Sequence, residues 1–210
     1  MKRLMLSQKA KEVSTRLVNS KDSEKAGYIA AVDPQTGEVS YGKTIAEAAK
    51  EGRKRKKDAK AIFFFVRVGY PSVHVLKTVR LRGYIYQDYF PKVKCYIENR
   101  ILNLAFSIPE NEQPVELIAD TGFSGSLVLD TRIIKGIDSD YVGEDTVTLA
   151  GGVIQPVSIY LSDINVDNLR LSEVEIMEME EEFLMGVSLM RSMCKRAIFS
   201  FDSNELLFEE

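Results

Sequence analysis

The chain has 210 residues, 45% of them hydrophobic and 28% charged, and a formal net charge of −3. This is an ordinary globular mixture, which excludes disordered and collagen-like classes, and no apolar run approaches the roughly 20 residues that span a bilayer. The small net charge hides a split: residues 1–90 hold 19 Lys and Arg against 9 Asp and Glu, whereas residues 91–210 hold 9 against 22. Two units with different surfaces are expected.

The stretch Met1-Lys2-Arg3-Leu4-Met5-Leu6 has a basic flank, but its apolar part stops at Ser7, too short for a signal-peptide core. Residues 1–26 read as a short helix or a loose arm, with Leu4, Leu6, Val13 and Leu17 as its few anchors. From Gly27 the pattern sharpens. Residues 28–32 read as a strand, 33–37 as a Pro/Gly turn and 38–42 as the return strand. Thr44 with Glu47 three residues on is a capping box, and Ile45, Ala48 and Ala49 make the apolar stripe of a helix to about Lys57. Residues 61–68 follow as an apolar, central strand. Residues 27–90 are thus expected to be a small basic α+β domain. It resembles a short prokaryotic β-β-α-β module of unknown function, through residues 28–32, Gly37-Glu38-Val39 and Gly42-Lys43-Thr44, which supplies no chemistry.

The run Arg53-Lys54-Arg55-Lys56-Lys57 has two readings. It can be a solvated helix C-terminus whose cations oppose the negative end of the dipole. Alternatively it binds phosphates, with nucleic acid as the partner. The first is favoured, because no RNA-binding aromatic motif accompanies the run.

Few side chains can carry chemistry. One His excludes His₂ and His₃ zinc sites. A Ser-His-Asp system would need His74, which lies in an alternating, strand-like stretch and reads as packed or surface-exposed. Cys95 and Cys194 are far apart, form no metal-type pair and suit a reducing, cytoplasmic setting. No metal or cofactor is expected, and any reaction falls to carboxylates, hydroxyls and backbone. Tyrosines 84, 86 and 89 mark a mixed stretch that ends near the expected boundary at residues 90 and 91.

Residues 91–210 have an all-β texture. Val93, Cys95 and Ile97 alternate with polar residues, residues 101–108 continue, and residues 111–114 form a turn. An apolar strand then runs into Asp120-Thr121-Gly122, and a second apolar strand follows. Gly122-Phe123-Ser124-Gly125-Ser126 is not a G-x-S-x-G elbow, because position 126 is Ser. Asp138, Asp140, Glu144 and Asp145 read as loop acids without EF-hand order. Residues 146–149 and 153–157 read as a hairpin tipped by Ala150, Gly151 and Gly152. The acids from Glu173 to Glu182 read as the wet face of a strand and loop. Leu184-Met185-Gly186 precedes one or two helical turns, and residues 197–202 and 205–208 form a closing hairpin.

A carboxylate in a tight loop can hold water for attack on a peptide carbonyl, and two of them about 3 Å apart share one proton. Three blocks carry the resemblance in their order: residues 118–125, the Gly151-Gly152 hairpin and residues 184–190. Together they resemble the retropepsin-like aspartic proteases of the small single-lobe prokaryotic type, over about residues 92–210. The resemblance implies a mainly β, closed-barrel domain, preceded here by the α+β unit, whose catalytic loop is pinned beside the apolar-apolar-Gly segment. It assigns Asp120 as catalytic, Thr121 as a cross-dimer hydrogen-bonding residue and Gly122 as loop former. Phe123, Ser124, Ala150, Gly151 and Gly152 are assigned to the substrate side, the glycines as a flap tip. Phe123 is a departure, since many relatives have Ala or Ser there. Only one Asp-Thr-Gly occurs, so the dyad requires a homodimer acting on a peptide or unfolded protein. The alternative is a catalytically idle dimerisation module whose basic N-terminal unit binds nucleic acid or an acidic partner.

Overall fold

The computed structural model describes residues 4–21, 24–75, 92–98, 101–104, 115–149, 151–166, 169–180, 182–200 and 205–209. Ala150, the turn at 111–114 and tyrosines 84, 86 and 89 lie outside them. The chain divides into two compact units. The first holds Met1–Val75 and Tyr141–Tyr160, the second Leu76–Asp140 and Leu161–Glu210. The expected division at residues 90 and 91 follows the chain, whereas these units interleave.

In the first unit the arm is a helix, α1 (Gln8–Val18), started by Ser7, whose side chain accepts from the Ala10 N–H. Strands β1 (Ile29–Val32) and β2 (Val39–Gly42) pair antiparallel, and β1 also pairs antiparallel with β3 (Phe63–Arg67). The sheet continues through β9 (Ser139–Thr148) to the first part of β10 (Ile154–Val166), with the short β4 (His74–Val75) also on β9. Period-2 alternation sends Ala30, Val32, Val66 and Val68 to one face, against Ala10 and Leu17 of α1. Phe63, one residue out of step with Phe64 and Val66, meets Gly52 of α2 (Ile45–Lys56). Cover on both sides explains why β1 is buried at every position.

The capping box forms as read: the Thr44 hydroxyl accepts from the Glu47 N–H at 3.1 Å, and the Glu47 carboxylate accepts from the Lys43 N–H at 2.7 Å. The basic end of α2 is bound into its own unit. Arg53 donates to the Ala61 carbonyl at 3.1 Å, Arg55 to the Val39 carbonyl at 2.8 Å, and Lys56 pairs with Asp33. The alternative role in phosphate binding thus loses three of its five cations to structural contacts.

In the second unit the strand order is β11 (Leu169–Glu178), β8 (Leu127–Leu129), β12 (Leu184–Gly186), β7 (Val115–Asp120), β5 (Lys92–Glu98), β6 (Ile101–Leu104), then the end of β10. Pairings are mixed: β12 with β7 and β11 with β8 are parallel, while β5 with β6 and with β7 are antiparallel. Helix α3 (Thr131–Ile134) is capped by Asp130, and α4 (Val187–Met193) follows β12. A separate hairpin pairs β13 (Arg196–Ser200) with β14 (Glu205–Glu209). The protein is mainly β, as expected. The described strands make mixed sheet, in which β11, at one end of this order, also pairs with β10 at the other.

One expectation is corrected. Asp140, Glu144 and Asp145 are not loop acids but lie on β9, and Glu144 and Asp145 are buried. Burial is tolerated because the carboxylates find N–H partners: Glu144 accepts from the Leu4 N–H at 2.6 Å, and Asp145 accepts from the Thr146 N–H.

Candidate active site

The sequence Val115–Asp120 extends as a strand through its alternating apolar residues and delivers Asp120 to the strand end. Gly122 then turns the chain, and its N–H donates to Asp120 Oδ1 at 2.7 Å. That bond orients the carboxylate, which is only 7% exposed. The Phe123 N–H donates to the Asp120 carbonyl at 3.2 Å and closes the turn.

β12 lies between the two strands that flank this loop. Its register sets Leu184 beside Ile118, Met185 beside Ala119 and Gly186 beside Asp120, while Leu184 and Met185 also face Val128 and Leu127 of β8. Leu184 and Met185 are buried and anchor the segment. Backbone hydrogen bonds then tie the loop down. The Gly186 N–H donates to the Ser126 carbonyl at 2.8 Å, Val187 N–H to Phe123 at 2.9 Å and Ser188 N–H to Gly125 at 3.1 Å. These bonds also explain why α4 starts without a side-chain cap: its first N–H groups are satisfied by loop carbonyls. Gly186 is required by space, since a Cβ there would sit 2.2 Å from the Gly125 oxygen and 2.5 Å from Phe123 Cδ1.

Asp120, Thr121, Gly122, Phe123 and Ser124 are therefore one loop. Thr121 and Ser124 are exposed. Phe123 is fully buried, with its ring against Gly186. The hairpin read as a flap is present in the first unit. The Leu149 N–H donates to Val153 at 2.7 Å and the Gly152 N–H to Leu149 at 3.0 Å, with Gly151 and Gly152 at φ +85° and +80°. Both glycines are exposed.

His74 lies 3.8 Å from Asp145, and Ser72 is two residues away in sequence. These do not form a nucleophilic triad. The Ser72 hydroxyl donates to the His74 carbonyl at 2.9 Å and meets the Thr148 hydroxyl at 2.6 Å, so it addresses backbone and threonine, not the imidazole. Sequence reasoning missed the Ser72–Thr148 pair, which no local pattern announces. Cys194 is partly buried and donates to the Met190 carbonyl at 3.3 Å; burial pushes its thiol above the usual range. Among the described residues no group of three or more His, Cys, Asp or Glu is placed to hold a metal ion, and no helix is long and apolar enough to cross a membrane.

No curated protein and no solved structure matches the chain significantly. One protein family, described as aspartyl protease, matches residues 105–190. The match contains the Asp120 loop, the Gly151-Gly152 hairpin and the β12 segment that pins the loop. Residues 105–190 thus resemble the aspartyl proteases of retropepsin-like type.

Proposed function

We propose that the protein is an aspartic endopeptidase whose active site forms between two copies of the chain, each supplying Asp120. The observation that carries this reading is the backbone-pinned Asp120 loop, with Gly186 in register beside the carboxylate. In a two-fold dimer the two carboxylates share one proton. One takes a proton from water as the water oxygen attacks the peptide carbonyl carbon, while the shared proton passes to the carbonyl oxygen. Collapse of the tetrahedral gem-diol breaks the C–N bond: the departing amine takes the proton that came from water, and one gem-diol hydroxyl returns its proton to the dyad as the carboxylic acid forms. No metal or cofactor enters these steps. Thr121, which is exposed, is assigned the cross-dimer hydrogen bond, and Ser124, also exposed, lies on the substrate side. Activity is assigned to residues 91–210, with 27–90 as the companion unit, the 149–153 hairpin as the flap, and a reducing, cytoplasmic setting that suits two separate cysteines.

The test is cleavage of an unfolded protein by the purified full chain and by Asp120→Asn. The variant should lose at least about a thousandfold in kcat and keep the same solution mass. Equal cleavage by the variant, or a strictly monomeric active enzyme, would overturn the assignment.

A further inference from the structure

The N-terminal unit bears no catalytic motif, yet it holds the strands of the hairpin. Phe63 and Phe64 pair in parallel with Gly143 and Glu144, and His74 and Val75 pair in parallel with Val147 and Thr148. Gly143 passes so near that a Cβ there would sit 1.8 Å from the Phe63 oxygen. Closer to the tip, the Val73 N–H donates to the Thr146 carbonyl at 3.2 Å. The last tie before the turn is the Ser72–Thr148 hydroxyl pair at 2.6 Å, with Ser72 only 5% exposed. Beyond it the tip changes character: Val153 and Ile154 are 59% and 50% exposed. A firmly bonded base thus carries an apolar tip that stands in water. Covering an apolar substrate side chain would remove that tip from water, at about 25 cal/mol per Å² of apolar surface.

From this we propose that Ser72 and Thr148 are positioning residues, which fix the base of the hairpin so that residues 4–75 govern substrate capture. The inference rests on the reading of the hairpin as a flap. Its energetic lever is modest, because one half-buried hydrogen bond contributes about 1 kcal/mol, a factor of about five in an equilibrium constant. The consequence falls on binding: the pair touches no reacting atom, so the rate of the chemical step is left alone while KM changes.

The experiment uses the full chain with Thr148→Val, which keeps shape and removes the hydroxyl, and Thr148→Ser, which keeps the hydroxyl. Thr148→Val should raise KM about fivefold with kcat within about twofold. It should also speed amide hydrogen exchange at residues 149–154 and leave 184–188 unchanged. Thr148→Ser should behave as the parent protein, and Ser72→Ala, which also removes the bond to the His74 carbonyl, should raise KM at least as much as Thr148→Val. Unchanged KM in Thr148→Val, equal impairment in Thr148→Ser, or exchange that rises equally at 184–188 each overturns the proposal. A parent protein that cleaves nothing overturns the peptidase reading instead, and the exchange comparison then decides alone whether the pair holds the hairpin.

Discussion

Gly186 stands beside Asp120 in the parallel ladder between β12 and β7, and the loop that presents the carboxylate occupies the space a side chain at 186 would fill. The loop approaches so closely because both sides bond through backbone, with the Gly186 and Val187 N–H groups reaching Ser126 and Phe123. Gly186→Ala therefore has no small adjustment open to it, since the nearest obstacle is a backbone oxygen. It should destabilise the second unit by about 1–3 kcal/mol through overpacking. Cleavage should fall by at least about tenfold, because a shift near 1 Å of a reacting group costs more than that. Urea unfolding and cleavage rate check the two effects separately, and an alanine variant with parental stability and rate would show the close approach to be unimportant.

Phe123 supports the same loop from below. Its ring is fully buried against Gly186, while its backbone accepts from Val187. A hydroxyl at this position could bond a carboxylate; the phenyl ring instead contributes packing. Phe123→Ala should cost about 3–5 kcal/mol, the loss of a buried aromatic side chain plus the cavity it leaves. Phe123→Leu should cost distinctly less. Thermal or urea unfolding of both variants checks this, and a small, equal cost would mean that the ring is not a core element.

How much of this was legible depends on how far apart in sequence the interacting residues lie. Asp120-Thr121-Gly122 and Leu184-Met185-Gly186 announce themselves locally, since an apolar strand that ends in a small turn residue needs no distant partner to be read. The capping box at Thr44 and Glu47 is equally local. The burial of Glu144 and Asp145 is not, because it depends on β3 and on the Leu4 N–H, 140 residues from Glu144. Charges in a row of polar residues look solvated until the sheet that covers them is known. For the same reason the sequence pattern grouped residues 141–160 with their chain neighbours, whereas strand pairing groups them with residues 1–75.

The end of α2 contains a conformational cost that one substitution can relieve. Lys57 closes the helix in the left-handed region, at φ 56° and ψ 35°, and the Asp58 N–H returns to the Arg53 carbonyl at 3.2 Å. A lysine there carries a Cβ penalty of about 1–2 kcal/mol that glycine avoids. Glycine also gains freedom in the unfolded chain, which offsets part of the benefit. Lys57→Gly should therefore stabilise the first unit by about 0.5–1 kcal/mol. The measurement is the urea midpoint at constant slope, and a lowered midpoint would refute the expectation.

Asp33 supplies the clearest pH dependence. It is 2% exposed in the turn between β1 and β2, where Oδ1 accepts from the Gln35 and Thr36 N–H groups at 2.9 and 2.8 Å and the other oxygen pairs with Lys56. Burial pushes its pKa up, but the Lys56 ammonium and the two N–H groups outweigh burial and hold the carboxyl below its usual value. The folded form therefore binds protons more weakly than the unfolded chain, in which an Asp titrates near about 3.9. The stabilisation is fully present above that value and is lost as pH falls through the lower, folded one. Asp33→Asn keeps the turn's acceptor but removes the charge opposite Lys56. It should cost about 1 kcal/mol at neutral pH, a modest figure because Lys56 is partly exposed. The gap between the two proteins should persist at pH 5 and close as the pH falls below the lowered, folded value of Asp33. Parallel stability curves for the two proteins from pH 7 down to pH 2 would show that the Asp33–Lys56 pair contributes no pH-dependent stability.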